Sequence, residues 1–161
     1  MRGMSPRATQ TEVVHRACQR ISPVYPDYAA RPIQDGFSWS SSLAGCPFDR
    51  LYLVVFRSVR RPEADLDLLL EHDDRAYAEA LESGGLLRYF KGHANERREC
   101  LSFCLWETRE QAIKAAGATS HQSAAGISVR MYESYVLDRY WLKKLVTGRR
   151  ERLIFEPIQA M

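Results

Sequence analysis

The stretch Cys100-Leu-Ser-Phe-Cys-Leu-Trp-Glu-Thr-Arg-Glu-Gln-Ala-Ile113 constrains the fold of this chain more than any other segment. Its apolar, aromatic first half predicts a buried strand through Glu107. Thr108 followed three residues later by Gln111 forms a capping box, so a helix begins directly after the strand. Trp106 sits at the junction. Alternation places Ser102, Cys104 and Trp106 on one face of the strand and Leu101, Phe103 and Leu105 on the other.

The neighbouring segments extend this pattern. Leu51 to Val59 is an almost continuous apolar run of strand length, as expected for burial on both faces. Pro62 opens a helix, with Glu63 and Asp65 complementing the positive end of its dipole. Leu66, Leu69, Leu70, Asp73, Ala76, Tyr77, Ala80 and Leu81 follow at helical spacing, and Gly84-Gly85 ends the helix. Leu86 to Lys91 reads as a second strand, and the charged segment Gly92 to Glu99 as a loop. After the strand and helix of the opening stretch, Ser120 caps a further short helix through about Met131. Tyr132 to Leu142 and Arg152 to Glu156 complete the strands, joined by a turn at Thr147-Gly148. The order is βαββαβ plus an extra C-terminal strand, an α+β ferredoxin-like pattern.

Residues 1–45 are expected to form an irregular arm lying on the domain or on a partner subunit, and residues 46–161 the α+β domain. Thr11 to Ile21 can make one or two helical turns before Pro23, Pro26 and Pro32 interrupt regular structure. Trp39 is expected to anchor this arm. A net charge of +3, with acids mixed among the bases, argues against nucleic acid as a partner. The basic cluster Lys143, Lys144, Arg149, Arg150 and Arg152 surrounds the Thr147-Gly148 turn and reads as a solvated hairpin. Cys18, Cys46, Cys100 and Cys104 show no metal-ligand spacing and are expected to be reduced thiols. The N-terminal residues lack a long apolar run, so neither a signal peptide nor a membrane span is expected, and a cytoplasmic location is.

Three segments carry a family resemblance: Tyr52-Leu-Val-Val-Phe-Arg-Ser58, Leu101-Ser-Phe-Cys-Leu-Trp-Glu-Thr-Arg-Glu-Gln-Ala112, and His121 with Met131-Tyr-Glu-Ser-Tyr-Val-Leu-Asp-Arg-Tyr140. Across residues 37–142 the chain resembles a family of small fungal proteins related to the dimeric α+β barrel superfamily. The resemblance implies a two-layer subunit that pairs sheet to sheet into a homodimer. The superfamily includes cofactor-free cyclases, decarboxylases, small monooxygenases, haem-degrading enzymes and proteins without known catalysis. Fungal proteins of this kind act in natural-product pathways, on polyketide or terpenoid intermediates. Fold transfers along such a resemblance; the reaction does not.

Two residues are candidates for chemistry. Asp73 lies on the apolar stripe of its helix, one turn after Leu69 and one turn before Tyr77, and should face the sheet. A carboxylate desolvated there without a partner suits general acid work; paired with Arg88 or Arg57 it is structural. His121 follows a helix cap, where the dipole favours a neutral imidazole able to serve as base or hydrogen-bond donor. A lone histidine near a helix end also has an ordinary structural role. His72 is expected to face solvent and His93 to lie in a charged loop.

Phe56, Tyr77, Tyr89, Phe90, Trp106 and Tyr135 are candidate walls of a pocket for an apolar, lightly oxygenated small molecule, with core packing as the competing role. The leading expectation is a cofactor-independent cyclase or isomerase, such as a pericyclase, acting by confinement with hydrogen-bond assistance. The alternatives are a non-catalytic dimeric ligand-binding or stress-related protein, and a small cofactor-free monooxygenase or haem-binding protein. No metal or cofactor is expected.

Overall fold

The computed structural model describes residues 7–118, 126–127 and 129–159. Its core is one antiparallel sheet of five strands: β1 (Arg50–Arg60), β2 (Leu86–Phe90), β3 (Glu99–Trp106), β4 (Tyr132–Thr147) and β5 (Arg150–Pro157). They are arranged in the order β2-β3-β1-β4-β5. The first four strands have ferredoxin-like connectivity, and β5 is added beside β4 by the turn at Gly148, whose φ of 62° suits glycine.

Among the described residues the sheet is accompanied by α1 (Gln10–Gln19), α2 (Ile33–Gly36), α3 (Trp39–Leu43), α4 (Leu66–Ser83) and α5 (Arg109–Ala116), with a 3-10 turn at Tyr28–Ala30. Residues 126–127 and 129–131 are also helical, and Ser120 lies outside the described residues. The Thr108–Gln111 capping box opens α5 as the sequence predicts. Helix α4 begins later than Pro62 suggests, because Asp65 is its cap: the carboxylate accepts from the Leu68 N–H at 3.1 Å. Gly84, at φ 82°, ends it.

Register assigns the two faces of the sheet. Tyr52, Val54, Phe56 and Ser58 of β1 pair with Trp106, Cys104, Ser102 and Cys100 of β3, and with Trp141, Arg139, Leu137 and Tyr135 of β4. This face lies under α4 and α5. The opposite face carries Leu53, Val55, Leu101, Phe103 and Leu105, all fully buried.

What buries that second face corrects one part of the sequence reading, the irregularity of the arm, and agrees with its packing on the domain, its helical turns before Pro23 and its anchor at Trp39. The segment expected to be an irregular arm folds into α1, the 3-10 turn, α2 and α3 and forms a layer over the sheet, through Val14, Ala17, Cys18, Ile21, Ile33, Phe37, Trp39 and Leu43. Arg57 fastens the layer from below, donating to the Ala29 and Arg31 carbonyls at 2.9 and 2.7 Å. Lys144 does so from the hairpin, donating to the Leu43 and Cys46 carbonyls at 2.7 Å each; it is thus a buried tie within a cluster expected to be solvated. The central strands are therefore covered on both faces by their own chain. Sheet-to-sheet pairing, as the resemblance implied, has no open central face to use.

Candidate functional site

Between α4 and its face of the sheet lies a cavity of about 300 Å³, at the small end of ligand sites. Phe56 and Ser58 of β1, Cys100, Ser102 and Cys104 of β3, Tyr89 of β2 and Tyr135 of β4 form its floor. Leu69, Asp73, Ala76 and Tyr77 of α4 form its roof. It exists because this face carries small side chains between larger ones: Ser58, Cys100, Ser102 and Cys104 leave room that the opposite face fills with leucine and phenylalanine.

A polar group is set into this apolar wall. Asp73 faces the sheet, as its place on the α4 stripe predicts, and its Oδ1 accepts from the Tyr89 hydroxyl at 2.6 Å. Lys91 Nζ stands 3.0 Å from Oδ2 and 3.3 Å from the Asp74 carboxylate. The partners differ from the expected Arg88 or Arg57. Arg88 donates to the Ile21 carbonyl and Arg57 to the N-terminal layer, both on the far side of the sheet.

Burial, reinforced by the adjacent Asp73 charge and hydrogen bond, pushes the Tyr89 phenol well above the usual tyrosine range. It therefore stays protonated. For Lys91, burial pulls downward, but the hydrogen bonds and charges of Asp73 and Asp74 outweigh it and hold the ammonium above its ordinary value. Burial raises the Cys100 and Cys104 thiols; as neutral thiols they are poor nucleophiles. All four cysteines are free. Among the described residues, no group of three or more His, Cys, Asp or Glu side chains is placed to hold a metal.

Of the sequence candidates, Asp73, Phe56, Tyr77, Tyr89 and Tyr135 line this one cavity. Phe90 and Trp106 do not, which corrects their assignment. Phe90 follows Tyr89 on a strand, so it points to the other face and stacks on Phe103 at 5.4 Å. Trp106 is on the cavity face but beyond the cavity, packed with Tyr52, Ala80, Ala112 and Ala115 where α4 and α5 meet the sheet. His121 lies outside the described residues. His72, expected to face solvent, lines the cavity, while His93 is in an exposed loop.

Sequence reading missed Lys91, Arg60 and Gly92 as cavity residues. The alternation Phe56-Ser58-Arg60 and Tyr89-Lys91 could have found the two cations. Gly92 is there for space: a Cβ would overlap the Leu101 carbonyl oxygen and fall 2.8 Å from its carbon. Gly92→Ala is expected to displace that strand backbone and cost about 1–3 kcal/mol or more, measured as a lowered urea midpoint.

A family model described as PB2B2.08-like matches residues 3–156. The chain belongs to the PB2B2.08-like family. Among curated proteins, UPF0643 protein PB2B2.08 of Schizosaccharomyces pombe is 29% identical over 103 residues, 60% of this chain and 47% of that protein. The chain thus spans about half the length of the curated relative it matches. Two solved structures are similar in fold. A putative antibiotic biosynthesis monooxygenase from Nitrosomonas europaea has a TM-score of 0.50 at 9% identity, covering 62% of this chain and 94% of its own. A protein from Shewanella oneidensis has a TM-score of 0.51 at 11% identity, covering 58% and 92%. The fold is ferredoxin-like α+β, with a fifth strand added to the sheet. Among the described residues no helix is long and apolar enough to cross a membrane.

Proposed function

We propose that this PB2B2.08-like chain is a cofactor-independent isomerase or cyclase acting on a compact, apolar, lightly oxygenated molecule, of the polyketide or terpenoid type. The observation that carries this reading is the Asp73–Tyr89 hydrogen bond inside a cavity whose lining is largely apolar. A ligand hydroxyl or activated C–H that delivers its proton to the Tyr89 oxygen would drive the phenolic proton onto Asp73. Asp73 is then the net base, and the same relay run backwards returns the proton elsewhere on the ligand. Lys91 holds the carboxylate in place, while Phe56, Tyr77 and the α4 leucines confine the ligand. Four free cysteines fit a reducing, cytoplasmic setting.

The test is hydrogen exchange at carbon. Incubated in D₂O with an enolisable bicyclic ketone such as 2-tetralone, the protein should speed deuterium uptake, read by mass spectrometry. No acceleration across a panel of such ketones would sink the reading. Oxygen consumption coupled to product would instead favour a cofactor-free monooxygenase, a reaction class close to the one for which the Nitrosomonas neighbour is named.

We propose also that the homodimer forms along β4. The strand is twice as long as β5, which pairs only with Tyr140 to Thr147. Among the described residues the outer edge of Tyr132 to Asp138 is unpaired, and Tyr135, Val136 and Leu137 are 42%, 50% and 38% exposed. An unpaired edge with exposed apolar side chains suits strand pairing with a second copy, which would also cover the cavity mouth at Tyr135 and Leu137. Val136→Lys should shift the protein from dimer to monomer in light scattering; a wild-type monomer at high concentration would refute the contact.

A further inference from the structure

The cavity holds a second cation, and among the described residues no carboxylate answers its charge. Arg60, the last residue of β1, lines the cavity on the same face as Phe56 and Ser58. The β1–β4 register shifts between Val59 and Arg60. Its backbone is fixed from both sides: the Arg60 N–H donates to the Arg98 carbonyl at 2.9 Å, and the Arg98 guanidinium donates to the Arg60 carbonyl at 2.7 Å. Its Nε is buried without a hydrogen-bond partner.

The nearby acids are otherwise engaged. Glu133 is held by Arg98 at 2.8 Å, Glu99 by Asn95 and Arg97, and Asp73 by Tyr89 and Lys91. Among the described residues no carboxylate lies within ion-pair distance of Arg60. Residues 119–125, the segment leading to the cavity residue Ile127, contain no acid at all. Arg57, three residues earlier, shows the contrast, since both its terminal nitrogens are engaged by carbonyls. A guanidinium partly withdrawn from water without a counter-charge is unfavourable, and its planar donors match a carboxylate in shape. Its field also reaches the cavity wall: Arg60 acts to lower the Cys100 and Tyr132 pKa values, against the larger effect of their burial.

We propose that Arg60 is an anion-recognition residue, and that the ligand of this cavity is an apolar ring system bearing a carboxylate. The proposal rests on the reading that the cavity binds a small molecule, and it narrows the ligand class: neutral hydrocarbons and simple alcohols leave Arg60 unpaired. The carboxylate fixes one point of the ligand against the guanidinium, and the apolar body rests on Phe56, Leu69 and Tyr77, within the cavity that contains the Asp73–Tyr89 pair.

The test uses the full chain, with 2-naphthoate and its uncharged methyl ester as probes in isothermal titration calorimetry. Wild type should bind naphthoate at least tenfold more tightly than the ester. Arg60→Gln should abolish that preference while keeping ester affinity within about twofold, so the ester reports that the cavity is intact. Arg60→Lys, which keeps the charge and loses the planar fork, should retain part of the preference. Equal binding of both probes by wild type, or a preference that survives Arg60→Gln, overturns the role of Arg60 and leaves the cavity reading standing. If neither probe binds wild type, the small-molecule reading fails and the carboxylate proposal falls with it.

Discussion

Replacing Trp39 with alanine is expected to destabilise the protein by about 3–5 kcal/mol, the range for truncating a large buried aromatic. Trp39 is 2% exposed and sits at the centre of the layer formed by residues 10–48. Its ring centroid lies 5.0 Å from that of Phe103 and 5.4 Å from that of Phe155, and its indole N–H donates to the Ile33 carbonyl at 2.8 Å. The substitution leaves a cavity against the sheet and removes the partner of a buried carbonyl. For a chain of this size the melting temperature should fall on the order of 10 °C. Because α1 to α3 share this core, near-ultraviolet circular dichroism and urea unfolding should report one cooperative transition at a lower midpoint. A loss below about 1 kcal/mol, outside the range for such a truncation, would mean that the layer is not an integral part of the fold.

Asp73→Asn should lower turnover in the exchange assay by about 10² to 10⁴-fold, the usual contribution of a positioned proton acceptor. The substitution is isosteric, so the ligand should still bind with little change. Tyr89→Phe keeps the ring that packs 5.1 Å from Tyr77 but removes the hydroxyl between ligand and carboxylate. If the two groups act as one relay, Tyr89→Phe should cost about as much as Asp73→Asn, and the double variant should be scarcely worse than either. A catalyst working by shape alone would tolerate both changes. Retained turnover in folded Asp73→Asn therefore discards the relay and leaves confinement as the mechanism.

The sheet and its two cavity-side helices were legible because local signals agreed. The Thr108–Gln111 box, the apolar stripe of α4 and the Gly84 stop each specify an element without help from distant residues. The placement of Asp73 followed from the same stripe. Its partners were harder to read, since a helical period fixes the face of Asp73 but says nothing of the strand opposite. The alternation of β2 held the answer: Tyr89 and Lys91 must share a side, and Arg88 must point away. The same rule excludes Phe90 from a cavity that Tyr89 lines. Trp106 obeys the alternation and still misses the cavity, because what separates them is distance along the strand, which periodicity does not measure.

The N-terminal layer was obscured by Pro23, Pro26 and Pro32, which limit it to short pieces, and by its polar outer surface. Val14, Ala17, Cys18 and Ile21 nevertheless recur at helical spacing, and all four are buried in the structure. Thr9 and Glu12 form a capping box at the start of α1, the same signal that located α5.

That layer sets the order in which the chain can mature during synthesis. Residues 10–48 leave the ribosome ahead of the strands that shelter them, a surface drawn from β1 to β5, and Trp39 meets Phe155 only once β5 has emerged. The apolar residues of this layer therefore wait, incompletely sheltered, for β5. Such long-range closure makes for slow folding and gives the nascent chain an extended period in which a chaperone could hold it.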